Sequence, residues 1–464
     1  MVSTNVLDQL VRLRLTPIET QMASVILTRK LIKHGRMRVG PLIRATLKIR
    51  TTLLCTRLPC AVQTDLRSRS SYCARALVAT SIAAFDKSGL EERKMQCLEA
   101  FPSTGASGLL WAKHLSSEVT KFHLNCSYEQ SVMERVQENI KINDLGDKVQ
   151  VLNFDPFSIN NDHSFFNFVY LEGFANSSQY LDSIFKRIPR RGMVAISTVD
   201  DPAIYCKSPE VAQRHYGGLI GKTLYYKELA ARLIVAAAAR SAARSNRGIR
   251  VMWVYNFKSS ISMLLQVEKG PAKANESLKN SRGLIHCNIC EERAFYPDTN
   301  YVIENPYSLL ACSCKSKMPG KTAINIGPVW SGELFDADFL QKMVSECSAF
   351  PWKSEAGEVL SQLLEEAVCP ETTPLTCAVS QTDGDDPPHK RVCVETAAPP
   401  FYYNLHHNRP KDSKMIKADK VVTFLRSNGF RASRTHFDRE AVKTNASVAE
   451  LLQIIRSGGL KAQE

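Results

Sequence analysis

Residues 165–177 read FFNFVYLEGFANS. Phe165, Phe166, Phe168 and Val169-Tyr170-Leu171 make an almost unbroken apolar and aromatic run that stops at Glu172. A short run of this kind is the pattern of a central strand buried on both faces of a parallel sheet. Ligands of open α/β sheets bind beyond the carboxyl ends of the strands. Glu172 therefore stands where a carboxylate can hold a polar substrate group, with Phe174 two residues on as a flat ring to receive it. Beyond them, Tyr180–Ile188 has apolar residues at helical spacing, Arg191-Gly192 makes a turn, and Met193–Ile196 is a second buried strand. The centre of the chain thus reads strand, acidic turn, helix, turn, strand.

Upstream the same alternation continues. An alanine-rich helical stretch lies within residues 71–96. Cys97–Lys113 reads as a short strand, a turn holding Gly105 and Gly108, and a helix. Glycines let backbone approach a cofactor closely at a helix N-terminus, although the loop matches neither G-x-G-x-x-G nor a P-loop. Val119–Leu124 is a second strand, and Tyr128–Ile142 a helix with Val132, Val136 and Ile140 on one stripe. Val149–Phe154 is a third strand, ending at Asp155. Strands alternating with helices predict a doubly wound parallel sheet. Asp155 suits either an acceptor for an adenine amino group or a turn former before Pro156.

At 464 residues the chain is too long for one core. It divides into a basic arm (1–70), a main domain (71–275), a cysteine-pair segment that opens a C-terminal domain (276–362), a flexible linker (363–400) and a C-terminal part (401–464). The linker is rich in Pro, Thr, Ser and acids. The net charge of +14 and a pI near 9.1 favour a polyanionic partner, nucleic acid ahead of a membrane surface. No run of 18 apolar residues offers a transmembrane helix. The first fifty residues carry ten Lys and Arg against two acids, a net +8. Such a start fits a nucleic-acid arm or a mitochondrial presequence, or an untidy start to the gene model. Fourteen cysteines without a secretory signal point to a reducing compartment. Cys287-x-x-Cys290 and Cys312-x-Cys314, 21 residues apart, offer four thiolates for tetrahedral zinc; reduced free cysteines are the alternative. Tyr225–Ser245 is the strongest helix in the chain. Its Arg232, Arg240 and Arg244 share a face that is either solvated or aligned with an RNA backbone. Near the end, Arg431, Arg434 and His436 beside Phe430 and Phe437 could grip phosphates and stack on bases, or merely rim a packing domain.

These stretches together resemble the tRNA guanine-N2 dimethyltransferase family. The likeness is carried by LEAFPSTGASGLLWAKHL, FNFVYLEGFANSSQYLDSIFK, RHYGGLIGKTLYYKELAARLIVAAAARSAARSNRGI, the two cysteine pairs with MPGKTAINIGPVWSG, and PPFYYN with GFRASRTHF. It spans roughly residues 75–460. It implies a class I, Rossmann-like S-adenosylmethionine-dependent fold with a zinc-binding segment and a small C-terminal α/β domain that holds tRNA. It also implies methylation of the exocyclic amine of guanine 26 or 27, and residence in the nucleus, with the mitochondrion as the alternative from the basic start. Carried over residue by residue, Phe101, Thr104 and Gly105 fall on the cofactor loop, Asp155 on the acid near adenine, and Glu172 with Phe174 on the catalytic turn. The family's Asp-Pro-Phe-Gly turn is here Glu172-Gly173-Phe174-Ala175, Pro102 stands where the family has a small residue, and Leu124-Asn125-Cys126 replaces its Asn-Asp pair. A tRNA-binding pseudoenzyme acting as chaperone or scaffold is the competing expectation.

Overall fold

The computed structural model describes residues 69–86, 95–102, 104–115, 120–126, 130–153, 166–173, 177–297, 304–318, 320, 322–370, 398–407 and 416–460. The basic arm, apart from its last two residues, Asp155, Phe174 and most of the expected linker lie outside these.

Seven strands build the main sheet: β1 (Met95–Glu99), β2 (Thr120–Asn125), β3 (Val149–Leu152), β4 (Phe168–Gly173), β5 (Met193–Thr198), β6 (Arg247–Phe257) and β7 (Ser260–Lys269). Their order is β3-β2-β1-β4-β5-β7-β6. Strands β1 to β5 pair in parallel, whereas β7 lies antiparallel between β5 and β6. This is the class I methyltransferase arrangement, and it gives the expected doubly wound sheet an antiparallel insertion that the apolar runs did not reveal. From β1 the chain moves outward to β2 and β3, then returns to β4 on the other side of β1. The crevice between the carboxyl ends of β1 and β4 is therefore the switch point at which such sheets bind ligands.

Helix Ala106–His114 is packed onto the sheet by Trp111, which lies edge-on to Phe168 and Tyr170 with ring centroids 6.1 and 5.8 Å away. Helix Arg69–Asp86 is bonded to the sheet and to helix Lys353–Val368 by two buried indoles. Trp253 donates to Ser81 at 2.9 Å, and Trp352 donates to Thr80 at 3.0 Å. Lys353–Val368 runs into the segment expected as linker, so ordered structure there extends to residue 370. Helix Tyr226–Arg244 is buried along most of its length, between β6 and a second sheet. That sheet comprises β8 (Ser281–Cys287), β9 (Arg293–Phe295) and β10 (Ala323–Trp330), antiparallel in the order β10-β8-β9. The helix's alanines let it lie close to both layers.

A small α/β unit closes the chain. Strands β11 (Tyr403–Asn404), β12 (Ala432–Arg434) and β13 (Ala441–Thr444), in the order β11-β13-β12, pack with helices Ala418–Ser427 and Val448–Leu460 around Val421, Leu425, Val442 and Leu451. No helix among the described residues is long and apolar enough to cross a membrane.

Candidate active site and metal centre

Two carboxylates meet at the switch point. Glu172, next to last in β4, lies 3.3 Å from the Arg75 guanidinium and accepts from the Ser107 hydroxyl at 3.5 Å. Its side chain is 25% exposed, so it opens toward the carboxyl edge. Glu99, last in β1, is buried and accepts from the Gly108 amide at 2.8 Å, anchoring the first turn of helix Ala106–His114. Burial, and then the charge of Glu172, push its carboxyl up to about 7. A buried carboxyl beside another carboxylate takes up a proton more readily than one in water.

The sequence pointed to Glu172 but not to Glu99, Arg75 or Ser107. A lone acid closing a strand just before a glycine turn was the available signal for Glu99. Arg75 is 97 residues from Glu172, and the fold alone brings them together.

The loop from β1 to the helix begins at Ala100, whose amide donates to the Tyr170 carbonyl at 2.9 Å. Phe101 packs on Tyr180 with ring centroids 4.6 Å apart. Thr104 is buried, and its carbonyl accepts from Asn139 at 2.9 Å. Gly105 has φ +76°, a left-handed conformation costly for any residue with a Cβ. The two glycines serve packing inside the protein as well as any ligand. A Cβ on Gly108 would lie 2.5 Å from Leu124 Cδ1 and 2.9 Å from the Glu99 carboxylate, and one on Gly105 would lie 2.9 Å from Leu124 Cδ2. Asn125 closes β2 beside this loop, with its amide 3.5 Å from the Ala100 carbonyl. An aromatic face at Phe101, a glycine leading into a helix N-terminus and a polar strand end beside them can hold a nucleoside with an anionic tail.

The cysteine pairs converge as expected. The Sγ atoms of Cys287, Cys290, Cys312 and Cys314 all lie within 4.8 Å of one another. Zn–S bonds of about 2.3 Å in a tetrahedron place sulfurs a little under 4 Å apart, so the four thiols need only a small contraction around an ion. Burial opposes ionisation of Cys287, but the backbone amides of Cys290 and Ile289 and the thiols of Cys290 and Cys312 together lower its pKa.

The expected RNA-facing residues are mostly committed elsewhere. Arg232 is buried, donates to Glu228 at 2.8 and 3.0 Å, and donates to the carbonyls of Trp330 and Gly332 at 2.8 and 2.9 Å. It ties the helix to the β10 region and cannot reach a phosphate. Arg240 donates to the Tyr216 carbonyl. Arg244 is exposed and paired with Asp182. His436 is buried against Glu366 at 2.7 Å, and Phe437 is buried too, so neither stacks on a base. Arg434 pairs with Asp419 at 2.6 Å, and Arg431 donates to the carbonyls of Val368 and Cys369. Arg431 and His436 thus fasten the C-terminal unit to helix Lys353–Val368 and its end, whereas Arg434 bonds within the unit.

Known proteins share this arrangement. The family profile described as N2,N2-dimethylguanosine tRNA methyltransferase matches residues 69–382 and 389–456. The chain belongs to this family. Its relatives include the tRNA (guanine(27)-N(2))-dimethyltransferases of Bos taurus and Homo sapiens, 37% and 36% identical, each over 82% of this chain and 58% of the relative. The chain thus spans under three fifths of the length of these animal proteins. The tRNA (guanine(26)-N(2))-dimethyltransferase of Methanopyrus kandleri is 23% identical over 78% of this chain and 84% of its own. Among solved structures, Trm1 from Pyrococcus horikoshii with S-adenosyl-L-methionine superposes with a TM-score of 0.63 at 20% identity, covering 82% of this chain and 94% of that one. That likeness establishes the shared fold.

Proposed function

We propose that this chain is an S-adenosylmethionine-dependent tRNA (guanine-N2)-methyltransferase acting at position 26 or 27. One observation carries the reading. Glu172, which the family resemblance puts on the catalytic turn, lies at the switch point, held by Arg75 and by Ser107 in the first turn of the helix that the cofactor loop enters. The loop residues suit the cofactor: the helix N-terminus and Thr104 for its carboxylate, Phe101 for its base, and Asn125 for its ribose. When bound, the cofactor supplies an electrophilic methyl group on a sulfonium.

The chain's own groups do the rest. A guanine amine is a poor nucleophile because its lone pair is delocalised into the ring. Glu172 accepts one of its hydrogens and draws the nitrogen toward a tetrahedral, more nucleophilic form. Arg75 orients Glu172, so its carboxylate needs no reorganisation as positive charge develops on the nitrogen. The guanine must leave its stack to reach this edge. The four cysteines hold a structural zinc ion beside β8.

The test is methyl transfer by the purified chain to tRNA transcripts with guanine at 26, at 27 or at neither. Nucleoside mass spectrometry should find N2-methylated guanosine only when a target guanine is present. Binding of both cofactor and tRNA without any N2-methylated product would replace this reading with the tRNA-binding pseudoenzyme.

A further inference from the structure

The hairpin between β6 and β7 turns at Lys258-Ser259, on the edge of the sheet that carries Glu172. Glu172 and Gly173 pair with Ser197 and Thr198 of β5, and Thr198 pairs with Ile261 of β7. The end of β6 and the start of β7 therefore sit at the carboxyl edge of β4 and β5. With strands about 4.8 Å apart, Phe257 on β6 is three strands, roughly 14 Å, from β4.

Two aromatic rings, Tyr205 and Tyr226, meet beside this tip, and Lys258 lies at the turn itself. Tyr205 meets Tyr226 edge-on, with ring centroids 5.5 Å apart. Asn256 donates to the Tyr205 hydroxyl at 2.8 Å, and that hydroxyl donates to the Lys258 carbonyl at 3.5 Å. Lys258 Nζ lies 5.5 Å from the Phe257 ring centroid. The Cys206 thiol donates to the Ile220 carbonyl at 3.7 Å, fixing the loop that carries Lys222 beside the cluster. Tyr226 is 39% exposed, although it starts a helix that is otherwise largely buried. Lys207, Lys222 and Lys258 are exposed as well. The chemistry at Glu172 uses none of these groups, and the exposed ring of Tyr226 and the three lysines lie outside the core. Aromatic faces between exposed cations are the pattern that stacks unpaired bases while neutralising their phosphates.

We propose that Tyr205, Tyr226 and Lys258 form a platform for an unstacked nucleotide of the RNA substrate, a short way along the strand from the guanine held at Glu172. The proposal rests on the tRNA reading above. RNA is its occupant because the chain carries +14 and the platform combines rings with lysines. Extracting a guanine from a stem also breaks the stacking of its neighbours, which leaves a base for such a surface to receive.

The experiment measures tRNA binding by the full chain across a salt series, alongside methyl transfer and thermal melting. Tyr226→Ala should weaken binding about tenfold, the size expected for one lost base–aromatic stack, while Tyr226→Phe, which keeps the ring, should bind like wild type. Lys258→Glu should make log Kd less steep against log salt by about one. If Tyr226→Ala lowers the melting temperature, Lys258→Glu decides the question, because it sits at an exposed turn. If wild type binds and methylates tRNA but these variants bind it equally well, the platform is wrong and the surface serves another macromolecule. If wild type does not bind tRNA, the platform and the reading beneath it fail together.

Discussion

Glu172 has two positively polarised neighbours and one competitor for charge. Arg75 and Ser107 hold its two oxygens, and buried Glu99 sits at the end of the next strand. If Glu172 accepts an amine hydrogen mainly in the transition state, Glu172→Gln should lower kcat by about a hundredfold or more and leave tRNA affinity nearly unchanged. A matching loss of affinity would make it a binding residue instead. Glu99 yields a pH prediction. Its carboxyl is raised from an ordinary 4.5 to about 7, so the folded protein holds that proton more tightly than the unfolded chain. The associated stability is complete below pH 4.5 and is lost as pH rises through about 7, up to about 3 kcal/mol in all. Glu99→Gln keeps an acceptor for the Gly108 amide without the charge. In the cofactor-free protein, its melting temperature should therefore vary less between pH 5 and 8 than that of wild type, with the largest gap above pH 7. Parallel profiles would show that Glu99 does not titrate there.

Elements carry the metal site and most of the difference between sequence and fold. Cys287 ends β8 and Cys314 begins the short helix Cys314–Lys317, so an ion there would clip the loop between them to the second sheet. Purified protein should contain about one zinc per chain. Cys290→Ser should remove that zinc and lower the melting temperature, and an unchanged metal content would rule the site out. β4 and β5 were legible because a strand buried on both faces is largely apolar, and β1 to β3 because short apolar stretches alternate there with helical ones. β7 was not, because nothing in an apolar run says which neighbour it pairs with or in which direction. The expectation of an RNA-facing Arg232 failed for a related reason. Spacing shows that Arg232 and Arg240 share a face, but only the fold shows that Arg232 lies under the carbonyls of Trp330 and Gly332. At the site, Glu172 was legible as an acid ending an apolar strand, whereas Arg75 belongs to a helix with no local sign of its partner.

For the whole molecule, the telling feature is a buried network of charges that spans its parts. Lys443 on β13 lies 3.2 Å from Glu228 and 2.8 Å from Glu366, and the side chains of all three are at most 2% exposed. Arg232 also pairs with Glu228, His436 with Glu366, and the Phe401 amide donates to Glu228 at 2.9 Å. Burial works against both carboxylates, but Lys443 outweighs it, with Arg232 at Glu228 and His436 at Glu366, and both are held below the usual carboxylate range. Their stabilising contribution is therefore present above pH 4.5 and lost as the pH falls through their folded values. A network of this kind adds little over apolar packing, yet removing one member strands the others, at a cost of about 3–5 kcal/mol. Lys443→Met should thus destabilise the protein by that amount in urea unfolding at pH 7. Adding Glu228→Gln and Glu366→Gln should recover part of the loss, because no unpaired carboxylate then remains buried. The three residues belong to the C-terminal unit, helix Tyr226–Arg244 and helix Lys353–Val368, so the single variant should also make the C-terminal unit the first part released by limited proteolysis. A Lys443→Met protein with unchanged urea midpoint and digestion pattern would mean that the apolar contacts of Phe401, Tyr402 and Phe437 hold the unit without help from the charges.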